Sequence, residues 1–476
     1  MKNQLLEKAF DVRLFEKHLL QIIPILKKHL FNTTKGKNDF TLNYTQPLDQ
    51  LNFWEDYLEH GVPEEMLDEV FKRTTHTHHP KYVGHQVSAP APITILTAMV
   101  SSLLNNGMAV YEMGMAPTAI EKVVVDILCK KIGYSDNFGG FLTSGGTLAN
   151  LTALLSARKA MVKHDVWNHG HQDSLGVMVC EQAHYCIDRA AKIMGLGQKG
   201  IIKIPARNTF AMDIAQLEYG YQEAVQKGIH IFAIVGSAPS TATGAYDDLE
   251  AIANFARNKN IWFHVDGAHG GAAIFSDKYR FLLNGIAKAD SVVIDGHKMM
   301  LMPTITTALL FKDKKRAQQT FSQKADYLLD DMEDDWINSG KRTFECTKTM
   351  MGMHWFILLK FYGEKLFDDF VTRQYDLARA FQKLLENHPQ FELATPLMAN
   401  IVCFRWVNGN FDQEELNRLN QTIRQHLLED GEYYLVQTKL GDTNYLRTSL
   451  MNPFTELSHL EHLLGKIDAM AVKLTN

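Results

Sequence analysis

The chain has 476 residues and a formal net charge of −5, from 49 Lys or Arg against 54 Asp or Glu. That length allows two or three domains and a deep core, and a mildly acidic balance without a dense basic block leaves no electrostatic footprint for nucleic acid or an anionic membrane surface. Five scattered cysteines, none paired as CxxC, point to neither a disulfide framework nor a zinc ribbon, and they favour a reducing compartment.

The first twenty residues mix acids and bases on an amphipathic pattern, unlike the uninterrupted apolar core of a signal peptide. The apolar run 93–104 stops at Asn105-Asn106, short of the ~20 residues a spanning helix needs. A cytoplasmic protein with no membrane partner is expected. Residues 1–90 carry helical periodicity through Leu5, Leu6, Phe10, Leu14, Leu19 and Ile22, with further helices over 48–60 and 63–73, and read as a helical arm. Across 91–360 the texture changes to short β-branched apolar runs alternating with helical stretches. That pattern implies a doubly wound α/β domain whose mostly parallel sheet is covered on both faces. Strands are expected at 177–181, 201–204, 230–236, 261–266, 291–295 and 306–311, with helices over 148–163 and 247–258. Over 361–476 a strand (399–407), a helix (412–428), two adjacent strands (433–439 and 445–450) and a last helix (456–472) read as a small α+β domain.

Chemistry-bearing residues fall at the ends of the predicted strands, where such sheets bind ligands. Thr143-Ser144-Gly145-Gly146-Thr147 follows a short strand and opens a helix, so free N–H groups and a positive dipole end can cradle a phosphate. The loop lacks both the Walker lysine and the GxGxxG spacing. Asp266 closes one strand and is followed by small residues that let a flat ligand approach the backbone. Lys298 follows another strand, where desolvation makes an amine a usable nucleophile. His184 follows a third. A phosphate cradle, a carboxylate, an amine and an aromatic ring at one sheet edge match the needs of pyridoxal phosphate. A metal-dependent hydrolase built on His264, Asp266, His269, Asp295 and His297 is the reading from another class.

HVDGAHGG (264–271), ADSVVIDGHK (289–298), TSGGTLANLTALLSAR (143–158) and EQAHYCIDRAA (181–191) resemble the fingerprints of the group II pyridoxal-phosphate amino-acid decarboxylases. The likeness runs from HHPKYVGHQ (78–86) to YLRTSLMNPFT (445–455). It implies fold type I, the aspartate aminotransferase-like architecture, and a homodimer that decarboxylates a small, polar L-amino acid with pyridoxal 5'-phosphate. The same fold also serves aminotransferases and decarboxylation-coupled aldehyde synthases. By resemblance, Lys298 is the imine lysine, Asp266 the partner of the pyridine nitrogen, Ala268 the small residue under the ring and His184 the stacking histidine. Gly145, Gly146, Thr147, Ser240 and His297 correspond to the phosphate neighbours, and Arg447 and His85 to substrate contacts. Three departures stand out. Pro239-Ser240-Thr241 replaces a Gly-Thr-Thr, Asp295 stands where several members have Asn, and Trp336-Ile337-Asn338 replaces a tyrosine-bearing stretch of the mobile loop expected over 329–341.

Overall fold

The apolar runs at the centre of the sheet form strands buried on both faces. The computed structural model describes residues 4–38, 40–321 and 336–475. Seven strands form one sheet: β1 (Gly139–Thr143), β2 (Ser174–Cys180), β3 (Ile201–Ile204), β4 (Ile229–Ser237), β5 (Trp262–Asp266), β6 (Ser291–Asp295) and β7 (Thr307–Phe311). Their order is β1-β7-β6-β5-β4-β2-β3. The pairs from β2 to β6 are parallel, while β7 runs antiparallel to both β6 and β1. Val177 and Val179 are as deeply buried as their alternating neighbours Met178 and Cys180, which is what coverage of both faces requires. The helix Gly146–Met161 packs Ala149, Ala153, Leu154 and Ala157 into the core with Phe141, Phe232, Trp262 and Phe311. Fully burying such side chains contributes roughly 1.5–3 kcal/mol each for the larger ones.

The chain divides into two compact units, one of residues 1–85, 388–392 and 405–476, the other of residues 86–387 and 393–404. The stretch expected as an arm over 1–90 therefore shares its unit with C-terminal residues. There, the Val83 N–H donates to the Tyr434 carbonyl, Ser449 donates to the Val83 carbonyl, and Thr41 donates to the Glu432 carbonyl at 2.7 Å. At the other expected boundary, near 360, the helices Gly352–Tyr362 and Lys365–Glu386 stay with the large unit. A smaller sheet orders β8 (Phe391–Leu393), β9 (Ile401–Trp406), β10 (Val436–Leu440) and β11 (Thr443–Ser449) as β10-β11-β9-β8. The helix expected over 63–73 begins as a 3-10 turn, Pro63–Glu65, before Met66–Lys72 becomes α-helical.

β1 is an edge strand whose outward backbone groups are met by side chains. Arg342 donates to the Gly140 carbonyl at 3.3 Å, Glu121 accepts from the Leu142 N–H at 3.1 Å, and Lys348 donates to the Leu142 carbonyl at 2.8 Å. Glu345 accepts from the Ser144 N–H at 2.8 Å. Residues 140, 142 and 144 are alternate positions, so four side-chain groups replace the ladder that a further strand would supply. Glu121 and Lys348 also pair with each other at 2.5 Å, both almost wholly buried. Lys348→Met strands the Glu121 charge and should lower stability by about 3–5 kcal/mol in urea unfolding. Adding Glu121→Gln keeps an acceptor for Leu142 while removing the charge, and should restore part of the loss. Equal losses in the single and double variants would contradict a stranded charge.

Candidate active site

The register of three strands brings the glycine turn to the acidic end of β6. Thr143 pairs with Thr307, and Thr307 pairs with Asp295, so the turn that follows Thr143 begins in line with Asp295. Asp266 ends β5, and β2 leads through Cys180 to His184. β1, β2, β5 and β6 run the same way, so all four deliver their carboxyl ends to one sheet edge, around a cavity of about 310 Å3. Gly145, Gly146, Thr147, His184, Asp266, Ala268, His297 and Lys298 all line it. Asn150, Cys186, Thr241, His269 and Asp295 line it as well.

The turn works because its glycines do. Gly145 has φ +100°, a left-handed conformation that side chains rarely adopt, and a Cβ on Gly146 would lie 3.0 Å from a carboxylate oxygen of Asp295. The backbone therefore passes close against Asp295 and opens the helix Gly146–Met161 toward the cavity. Ser144 is held from behind, its hydroxyl and N–H donating to Glu345 at 2.6 and 2.8 Å while the Thr143 hydroxyl donates at 2.7 Å. Burial raises the Glu345 carboxyl, but the bonds from Ser144 and Thr143 outweigh it and hold the group below its usual range.

Lys298 reaches Asp295 at 3.2 Å, and His297 Nε2 lies 3.6 Å from the same oxygen. Asp295, 1% exposed, also accepts from the Thr307 hydroxyl at 2.7 Å. Asp266 is half-buried and accepts from the Ala268 N–H at 3.2 Å. His184 caps the helix Tyr185–Ile193, its Nδ1 accepting from the Cys186 N–H at 3.3 Å, which leaves the ring proton on Nε2. Burial, opposed by the Asp266 charge and reinforced by Lys298, lowers the His184 pKa, so the ring is neutral near pH 7.

Behind the cavity runs a hydrogen-bond chain whose sense the Asn150 amide sets, by donating to Cys186 and turning its oxygen to a neutral His264. Trp262 Nε1 can only donate, and it donates to the Ser291 hydroxyl at 2.9 Å. Ser291 then donates to His264 Nδ1 at 2.8 Å, His264 Nε2 donates to Asn150 Oδ1 at 2.7 Å, and Asn150 donates to the Cys186 thiol at 3.4 Å. Both nitrogens of His264 are thus engaged, and burial lowers its pKa to about 4. His269 Nε2 bonds Asn400 at 2.8 Å. No group of three or more His, Cys, Asp or Glu among the described residues is placed to hold a metal ion.

Among the expected phosphate neighbours, Ser240 does not line the cavity. Ser240 is buried with its hydroxyl 2.9 Å from that of Thr243, and its neighbour Thr241 lines the cavity instead. Arg447 and His85 belong to the smaller unit, where Arg447 pairs across β10 and β11 with Val436. The His85 ring stands 5.8 Å from that of Tyr434, and desolvation together with the Arg447 and Arg424 charges lowers its pKa. In the loop expected over 329–341, residues 329–335 lie outside the described residues. Beyond them, the Asn338 side chain accepts from the Tyr111 N–H at 3.1 Å and Gly340 donates to the Ala109 carbonyl at 2.9 Å. Sequence reasoning missed the roles of Asn150 and Glu345. Asn150 follows Gly146 by four residues, about one helical turn and so on the same helix face, a spacing that could have flagged it, whereas no motif surrounds Glu345.

An amine, a carboxylate at a strand end, a helix N-terminus with close-packed glycines and a flat neutral ring all face one cavity, and this donor set fits pyridoxal phosphate. Residues 44–407 match the family described as the pyridoxal-dependent decarboxylase conserved domain. An aspartate 1-decarboxylase of Aliivibrio fischeri is 29% identical, over 84% of this chain and 81% of its own. An aromatic-L-amino-acid decarboxylase of Bacillus atrophaeus is 26% identical, over 87% and 86%. The solved glutamate decarboxylase domain of a diaminobutyrate-pyruvate transaminase and L-2,4-diaminobutyrate decarboxylase from Vibrio parahaemolyticus is 26% identical, with a TM-score of 0.83 over 96% of each chain. The fold, the cavity and the match over most of its length agree: the chain belongs to the pyridoxal-dependent decarboxylases, fold type I amino-acid decarboxylases that use pyridoxal 5'-phosphate.

Proposed function

We propose that this enzyme removes the α-carboxylate of a small, polar L-amino acid, giving the amine and carbon dioxide. The observation that carries the reading is the make-up of the cavity. Lys298, Asp266, His184 and the glycine turn Gly145-Gly146-Thr147 line it together, the set that decarboxylation with pyridoxal phosphate requires. Relatives that act on aspartate and diaminobutyrate agree with a polar substrate, while the Bacillus relative named for aromatic amino acids makes the side chain the point to test.

In this reading the Lys298 amine takes the cofactor aldehyde, Asp266 keeps a proton on the pyridine nitrogen, and Gly145, Gly146, Thr147 and His297 meet the phosphate. Ala268 and His184, which line the same cavity, would hold the cofactor ring between them. Bound in this way, pyridoxal phosphate accepts the electron pair left at the α-carbon when carbon dioxide departs. Arg447 and His85 are assigned to the substrate on the family resemblance.

A homodimer is part of the proposal. The helix Ile93–Leu104 exposes Ile95, Leu96, Met99, Val100, Leu103 and Leu104, more apolar surface on one element than a solvated helix carries. No helix among the described residues is long and apolar enough to cross a membrane, and the five cysteines are free thiols. Both agree with a proposed cytoplasmic location.

Amine release by purified enzyme across a panel of L-amino acids tests the substrate. Small polar members should exceed aromatic ones in kcat/KM by at least about tenfold, and preference for an aromatic substrate would overturn the reading. Lys298→Ala should lose the visible band of the bound cofactor together with turnover. Retention of either would displace Lys298 from its role. Asp266→Asn should keep part of the cofactor yet lose turnover by about a hundredfold or more, because a neutral amide does not hold the ring nitrogen protonated. Full activity of that variant would contradict the assignment.

A further inference from the structure

Asp295 lies against Gly146 of the phosphate cradle. A Cβ on Gly146 would sit 3.0 and 3.2 Å from its two oxygens, so an anion held by the N–H groups of that turn comes to rest within a few ångströms of a 1%-exposed carboxylate. A second anion, Glu345, stands one residue behind the cradle on Ser144. The groups that face Asp295 are Lys298 and His297 from its own segment, the Thr307 hydroxyl from β7, and the Asp266 carboxylate, the His184 ring and the Cys186 thiol across the cavity. Lys298 offers the nearest positive charge, at 3.2 Å, and it is the group that the cofactor's aldehyde engages.

Two anions this close in a water-poor site do not both keep full charge. We propose that Asp295 and the phosphate of the bound cofactor share one proton, so that loading the phosphate ester draws a proton from solvent. Condensation of the Lys298 amine with the aldehyde, which releases one water, is common to pyridoxal phosphate and to pyridoxal and therefore cancels between them. The added proton belongs to the phosphate ester alone. Because binding takes up that proton, affinity for the phosphate ester falls relative to pyridoxal as pH rises.

The proposal rests on Lys298 accepting the cofactor as read above, and the test separates the two. Apoprotein is titrated with pyridoxal phosphate and with pyridoxal, followed by the visible band, between about pH 6 and pH 9, where a free phosphate monoester is largely a dianion. Absence of a band with either ligand would fail the lysine assignment. With the bands present, the wild-type preference for the phosphate ester should fall by up to about tenfold per pH unit within part of that range. In Asp295→Asn the preference should change little, and at the alkaline end it should exceed that of the wild type by at least about tenfold. Equal pH slopes in the two proteins would overturn the proposal. Should the variant not fold, calorimetry of the wild type in two buffers of different ionisation enthalpy decides the matter. Uptake of more protons with pyridoxal phosphate than with pyridoxal supports the shared proton, and equal uptake overturns it.

Discussion

Everything in the active site depends on the pairing of β7 with its two neighbours. Because β7 is antiparallel to both β1 and β6, those two strands run the same way and end level with each other, at Thr143 and Asp295 through Thr307. A glycine turn after one strand and a lysine three residues beyond the other thereby open into the same cavity. A slip of one residue in either pairing would turn every alternate side chain to the opposite face and take Asp295 away from Gly146. The side-chain ladder on the outer edge of β1 guards against that slip. It fixes residues 140, 142 and 144 with groups of defined position, and its last rung, Glu345, grips the residue from which the cradle starts.

That arrangement was partly legible in the sequence. β3 and β6 fall where their apolar runs place them, and the other central strands differ by one to three residues at their ends, because burial on both faces leaves an uninterrupted signal. The direction of β7 was not legible, since a fully buried strand reads the same in either sense. The grouping of the N-terminal helices with the C-terminal residues was hidden for a related reason. Periodicity specifies which face a helix buries but not which distant segment covers it, and here the link is made by backbone groups at Val83, Tyr434 and Ser449 that carry no composition signal.

The site residues divide in the same way. Lys298, Asp266, His184 and the glycine turn were readable because each sits directly after a strand, so secondary structure alone gives its address. Ser240 and Thr241 are adjacent hydroxyls in one turn, and backbone geometry decides that Thr241 lines the cavity while Ser240 turns to Thr243. Glu345 could not be read at all, because a single carboxylate among polar residues usually marks a solvated surface. It becomes informative only when three donors from Thr143 and Ser144 converge on one of its oxygens.

His264 presents the opposite case, a residue whose type promised metal chemistry and whose surroundings assign it another task. Asn150 donates its amide to Cys186 and turns Oδ1 to His264 Nε2, which must then carry the proton; in the neutral ring Nδ1 accepts from Ser291, so neither ring nitrogen of His264 has a free lone pair to offer an ion. The low pKa imposed by burial keeps that sense from reversing, because protonating His264 would put a second N–H where Ser291 already donates. Asn150 and Cys186 are therefore presented to the cavity in one orientation, and the Cys186 N–H in turn fixes the tautomer of His184. Polar groups whose hydrogens are already set do not have to reorient as charge develops during a reaction, which is the condition under which buried dipoles lower a barrier rather than merely bind a ligand.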